Sequence, residues 1–324
     1  MSRTGVVAVL CACVWISSAC STREFGFERD GQMNGIERDG QDYTETFRQN
    51  YEVNPGGTLT VDAELGAIHI KGSILNEVDV LVRKRYRATD AGQIRKAFSN
   101  VEVGIEQTDN DVRIDVDRID DNAENWFWQE KTRVEIEVTV PVEFNLDLST
   151  ISDSIETGNI KGDVTAETLS GIVSTGPTEG NLSIETTSGH IRAGRVVGRV
   201  HTKTLSGSIE IGPVNGNATL SSTSGRIETD IVKGDLNAES LSGHIKIGPV
   251  NRDATLSSTS GRIETDTVKG DLNAETLSGN IRIGPVNGDA TVSSTSGNIK
   301  TGHVGGKLET STLSGKIESS YHTR

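Results

Sequence analysis

Every eighteen residues from Val173 onward, a β-branched aliphatic residue stands two positions after a glycine: Val173, Ile191, Ile209, Ile227, Ile245, Ile263, Ile281, Ile299 and Ile317. The flanking residues are mostly polar or charged, and such alternation marks a strand with one buried face. Each of these glycines, from Gly171 to Gly315, follows a serine, and no copy gains or loses a residue. A unit this short cannot bury a core alone. Stacked copies complete one another's core, which is the pattern of a solenoid.

Counted from the glycine, apolar or small positions fall at +2, +4, +7, +11, +13 and +16. The spacing 2, 3, 4 occurs twice, so each coil reads as two similar halves with one short strand apiece. A second glycine column lies half a period away, from Gly162 to Gly306 with Arg252 as its exception. Glycine there fits a tight corner where φ is positive.

A period of thirty-six lies over the first. Leu205, Leu241 and Leu277 alternate with Thr223, Thr259 and Thr295 at +16, and Ile211, Ile247 and Ile283 with Thr229, Thr265 and Thr301 at +4. Ala218 with Leu220 is followed by Leu236 with Ala238, then Ala254 with Leu256, which holds the coil volume steady as close packing demands. The expected fold is all-β. It is a single-stranded β-solenoid, or β-helix, of about ten coils over residues 142–324, on the order of 45 Å long at ~4.8 Å per coil. A period of nine rather than six separates it from left-handed hexapeptide helices.

Residues 54–141 read as an N-terminal β-rich capping module. Leu59 with Val61, Ile68 with Ile70, and Val78, Val80 and Val82 alternate between Gly56-Gly57, Gly66 and Gly72; further strands are expected at Val101–Ile105, Val112–Val116 and Val134–Val140. Ala91–Phe98, opened by Asp90, has a helical pattern. Such a module would cover the unpaired edge at the N-terminal end of the rod. Little after Lys316 could cap the other end, so end-to-end self-association is expected there.

Residues 20–53 are polar, without sustained periodicity, and read as a tether. Residues 1–19 read as a signal peptide, with Arg3 before an apolar run from Gly5 to Ile16. Ser17-Ser18-Ala19-Cys20 resembles a bacterial lipobox, which makes Cys20 the expected site of lipid attachment and the membrane an expected partner. Ser21 resembles the signal for the outer membrane. The other cysteines, Cys11 and Cys13, precede Cys20, so the exported part has no disulfide and no thiol nucleophile.

The net charge of −14 excludes the basic surface that nucleic acid requires. Asp235, Asp253, Asp271 and Asp289 share a column one coil apart, so a calcium ladder is conceivable. The stronger reading is turn residues bonding to their own backbone, with Asn181 and Asn217 in the same column. Of six histidines only His190 and His244 share a column, three coils apart, too far for one ion. No cofactor is expected. Glu228, Lys246, Glu264, Arg282, Lys300 and Glu318 form an outward column of mostly alternating sign that would hold register. Thr168, Thr186, Thr204, Ser222, Ser240, Ser258, Thr276, Ser294 and Thr312 form a hydroxyl ladder, read as corner hydrogen bonds in preference to a glycan surface. Trp126 and Trp128 flank Phe127 and could stack on a sugar, against the alternative of packing under the cap.

The Gly-Gly-x-Leu-x-Val of Gly56–Val61, the Gly-Ala-Ile-His-Ile of Gly66–Ile70, the Val140-Pro141 pair before the rod and the serial Ser-Gly-x-Ile units resemble the putative adhesin family of bacterial β-solenoid domains of unknown function. The resemblance covers roughly residues 56–320. It implies an envelope-attached, non-enzymatic module and brings no catalytic residues. The function expected is a lipid-anchored, adhesin-like or scaffold β-solenoid that meets an envelope glycan or protein. A filament-forming or stress-response envelope component is the first alternative. A polysaccharide-acting β-helix enzyme is the second, disfavoured because identical coils leave no place for one unique active site.

Overall fold

The computed structural model describes residues 36–39, 41–87, 91–119 and 132–320. The expected signal peptide, Cys20, Trp126 and Trp128 lie outside the described residues.

The rod is a β-solenoid of about ten coils with about eighteen residues per coil, preceded by a β-rich module. Its first full turn after the cap is β9 (Asn145–Thr150) and β10 (Ile155–Thr157), and its last is β27 (Leu308–Ser314) and β28 (Ile317–Ser319). Long strands of five to seven residues alternate with short strands of three. Each pairs in parallel with its equivalent one coil on, as in Leu236↔Ala254 and Ile245↔Ile263. A third row of parallel contacts is a one-residue bridge at +7, running Ile160, Thr178, Val196, Val214 and on to Val304. Two strands per coil are present, but the two halves are not alike. The long strand points three residues inward, at +11, +13 and +15, where the short strand points two.

That difference corrects the +16 column. Strict alternation from +11 makes +15 the inward position, so Thr204, Ser222, Ser240, Ser258 and Thr276 are buried while Leu205, Leu241 and Leu277 stand outside. The inner hydroxyls are held by the corner. Thr204, Ser222, Ser240, Ser258, Thr276, Ser294 and Thr312 each donate to the carbonyl of the glycine fifteen residues earlier, at 3.1–3.5 Å. A polar side chain with a fixed acceptor is a sound core residue.

The corner glycines also have a different cause from the one expected. Among the described residues, only Gly56 and Gly66 are glycines with positive φ. At Gly180, Gly198, Gly216 and Gly234 of the half-period column, and at Gly207, Gly225, Gly243 and Gly261 of the Ser-Gly column, a Cβ would instead fall well inside contact distance of the carbonyl oxygen of the glycine one coil below. Coils stacked this closely leave no room for a side chain at these positions.

The cap grows out of the rod. β3 (Thr58–Ala63) and β4 (Ala67–Ser73) already form a coil, with β3 parallel to β9 and β4 parallel to β10. The chain then leaves the solenoid for β5 (Glu77–Arg87), α1 (Ala91–Ser99), β6 (Val101–Thr108), β7 (Asp111–Arg118) and β8 (Thr132–Pro141) before it re-enters at β9. Beyond β4 the first sheet continues as β8 and β5; beyond β3 the second continues as β7 and β6. Both sheets are thus extended past the first coil, and one apolar core runs from Val53 to Val304.

Strands also occupy the stretch expected to be a tether. β1 (Ile36–Asp39) pairs with β2 (Asp42–Glu52), and β2 pairs antiparallel with β5 along its whole length. β2 is polar because it lies near the sheet's edge, but Phe47 and Tyr51 pack on the main core and Tyr43 on a smaller one. That smaller core is Ile36, Tyr86, Ile94, Ala97 and Phe98. Ile94, Ala97 and Phe98 are the i, i+3, i+4 face of α1.

Candidate interaction face

The outward residues of the long strands form one face of the rod, and the thirty-six-residue period is written on it. In one coil the outward positions are Thr219, Ser221 and Thr223; in the next they are Asn237, Glu239 and Leu241; then Thr255, Ser257 and Thr259; then Asn273, Glu275 and Leu277. Large and small coils alternate on the surface as they do in the core. Where the core has Leu then Ala, the surface carries Asn, Glu and Leu; where it has Ala then Leu, the surface carries hydroxyls.

The result is a corrugated face. Leu169, Leu205, Leu241 and Leu277 are each slightly more than half exposed, in line and two coils apart, a repeat of about 10 Å. Ile151 stands at the head of the line and Leu313 at its foot. Between the ridges lie grooves. One of about 430 Å³ is bounded by Ile151, Leu169 and Leu205 with Glu167, Glu185 and Lys203 along its side. A second, of about 580 Å³, runs from Thr259 past Leu277 to Leu313. Isolated exposed apolar residues are ordinary; these stand in one line at constant spacing.

This face was missed in the sequence because leucine in a regular column was read as core. The signal was available: counting by two from +11 reaches +15, and the column there is hydroxylic throughout.

The aspartates serve the rod. Oδ1 of Asp253 accepts the backbone N–H of Asp271 at 2.8 Å, Oδ1 of Asp271 that of Asp289 at 2.8 Å, and Oδ1 of Asp289 that of Lys307 at 2.7 Å. Asp235 reaches Asp253 N at 3.4 Å, and Asn181 and Asn217 make the same contact in their coils. The bond therefore joins successive coils instead of closing on the residue's own turn. Among the described residues no three His, Cys, Asp or Glu side chains are grouped to hold a metal ion. His190 and His244 behave like the asparagines: Nδ1 of each accepts the backbone N–H one coil on, at 3.2 and 3.1 Å. In the charged column, Lys246 pairs with Glu228, Arg192 with Glu210 at 3.4 Å, and Lys300 with Glu318 at 3.1 Å.

No helix among the described residues is long and apolar enough to cross a membrane. No protein-family description matches the chain, and no curated protein does. Solved structures do. A putative adhesin from Parabacteroides merdae is 14% identical, over 85% of this chain and 95% of that one, with a TM-score of 0.35. A putative adhesin from Bacteroides fragilis is 15% identical over 85% and 97%, with a TM-score of 0.23. A putative lipid binding protein from Parabacteroides distasonis is 14% identical over 86% and 95%, with a TM-score of 0.30. Identities and TM-scores of this size transfer no residue role.

Proposed function

We propose that the chain is a lipid-anchored bacterial envelope protein, without enzymatic activity, whose rod is an adhesin-like scaffold for an extended partner. The observation that carries this reading is the repeat of the corrugated face. Alternate coils offer an exposed leucine at the same position, flanked by Asn and Glu in the Leu241 and Leu277 coils and by other polar residues elsewhere, so a long partner meets several similar, individually weak contacts, and their linkage supplies the affinity.

Two measurements test it. Protease shaving of intact cells, with the wild type and Cys20→Ala, reads anchoring and exposure: shaving of the wild type and release of the variant support a surface adhesin, while protection until the outer membrane is opened removes adhesion to outside partners. Binding of the full chain to envelope glycans and envelope proteins, wild type against the triple substitution Leu205→Ser, Leu241→Ser and Leu277→Ser, reads the face. Equal binding by both would sink the ridge as the contact surface.

The same corrugation favours one other reading. Offset by a single coil, the ridges of one copy meet the troughs of a second, so lateral association of rods is the alternative. Concentration-dependent light scattering that the leucine substitutions abolish would establish it.

A further inference from the structure

The cap holds a cationic pocket in an acidic chain. A cavity of about 470 Å³ is lined by Arg83, Arg85, Arg118 and Arg133, against the two carboxylates of Glu135 and Asp153. The carboxylates are largely committed. Glu135 pairs with Arg83 at 3.4 Å and Arg85 at 3.6 Å, Arg83 also bonds to Glu137, and Oδ2 of Asp153 accepts the N–H of Gly66 at 2.9 Å. Among the described residues no acid lies within ion-pair distance of the Arg133 or Arg118 side chain.

The strand register sharpens the point. β5 and β8 are antiparallel with Arg83 opposite Glu135, a favourable cross-strand pair, but with Arg85 directly opposite Arg133. Like charges facing each other across a ladder are destabilising. Arg118, at the end of β7 in the other sheet, brings a third guanidinium to the same cavity. Among the described residues, two of these three arginines have no acid within ion-pair distance, in a chain whose net charge is −14.

We propose that Arg85, Arg118 and Arg133 form an oxyanion site whose ligand is a phosphate group. One guanidinium satisfies a planar carboxylate through two parallel N–H donors. Three guanidinium groups from two sheets suit an anion with acceptors in three dimensions and more than one charge. The source is either free phosphate or the phosphoryl headgroup of an envelope lipid. The site is separate from the leucine ridge, and its test does not depend on the function proposed for that ridge.

All proteins in this test carry Cys20→Ala, so that none bears a lipid of its own; the full chain is heated in buffers of equal ionic strength containing chloride or inorganic phosphate, and is floated with phosphatidylcholine vesicles with and without phosphatidic acid. The wild type should melt higher in phosphate than in chloride. Arg133→Gln should weaken phosphate binding about tenfold or more, yet in chloride it should melt no lower than the wild type, because the substitution removes the like-charge opposition. A merely structural arginine would give the reverse. Arg113→Gln, whose wild-type side chain is already paired with Asp115 and Asp62, is the control that should keep the phosphate response. Flotation only with phosphatidic acid, lost in Arg133→Gln, identifies a lipid headgroup; a phosphate response without flotation identifies the free ion. Equal melting in phosphate and chloride with no flotation, or an Arg133→Gln response equal to the wild type's, overturns the proposal.

Discussion

At the Ser-Gly corner of seven coils, from Gly189 to Gly297, a glycine carbonyl is approached from two sides: by the glycine of the next coil, and by a hydroxyl fifteen residues downstream. Gly243→Ala places a methyl group against the Gly225 carbonyl, and because backbone cannot yield as a side chain can, the coils must part. The expected cost is about 1–3 kcal/mol, read by urea denaturation, while Gly104→Ala, with nothing closer than 3.9 Å, should be tolerated. The hydroxyls divide in the same way. Thr276 donates to Gly261, so Thr276→Val should cost roughly 1 kcal/mol. Thr202 is fully buried, with no partner for its hydroxyl among the described residues, and stacks between Ile184 and Leu220. Thr202→Val should therefore be neutral or stabilising, by roughly 1 kcal/mol. These distinctions are hard to read in a sequence. Glycine and hydroxyl columns are visible there, but what each one touches lies one coil away.

Among the elements, β2 shows where sequence pattern stops informing. Its run DYTETFRQNYE has no consistent apolar alternation, because a strand near the edge of a sheet needs only a few aromatic contacts and a partner for its backbone. The rod strands, buried on a defined side, were legible for the opposite reason. β2 also answers for a buried charge. Lys84 on β5 is almost wholly enclosed, bonds to the carbonyls of Val101 at 2.6 Å and Phe98 at 3.4 Å, sits over the ring of Phe47, and meets Glu45 of β2 at 3.3 Å. It fastens β2 and α1 to the sheet. Burial pulls its pKa below the ordinary 10.5, and the Glu45 carboxylate pulls it partly back. Between the lowered value and 10.5 the unfolded chain binds more protons than the folded one, so this group's contribution to stability rises with pH across that window. Glu45→Gln should cost about 3 kcal/mol at neutral pH, and the loss should shrink as the medium becomes alkaline. A loss that stays constant over that range would show that Glu45 acts by packing alone.

For the whole molecule, the repeat predicts how the rod can be shortened. Deleting residues 225–260 joins Ser224 to Gly261 and leaves the order of large and small residues intact. The shorter protein should fold, with a rod reduced by about 10 Å in small-angle scattering. Deleting residues 225–242 joins Ser224 to Gly243 equally smoothly, yet it stacks Leu220 on Leu256 and Ala218 on Ala254. Crowding in one column and a void in the next should make this variant less stable than the longer deletion by about 1–3 kcal/mol, although it removes half as many residues. The rod, its period and its large-small rhythm were legible in the sequence because stacking repeats the same evidence in every coil. The cap was only partly legible, since its strands occur once each. The arginine pocket was not, because Arg85, Arg118 and Arg133 come from three strands that only the folded sheets bring together.

The Ala–Leu and Leu–Ala alternation bears on how such a chain reaches its fold. Coils this alike invite strands to pair with the wrong neighbour while the rod zips up, and a uniform repeat would accept any slip. Here a slip by one coil sets bulk against bulk and is rejected, whereas a slip by two coils fits. The alternation thus acts as a proofreading step that removes half of the possible misregistrations, and the kinetic traps that survive should be displaced by two coils, never by one.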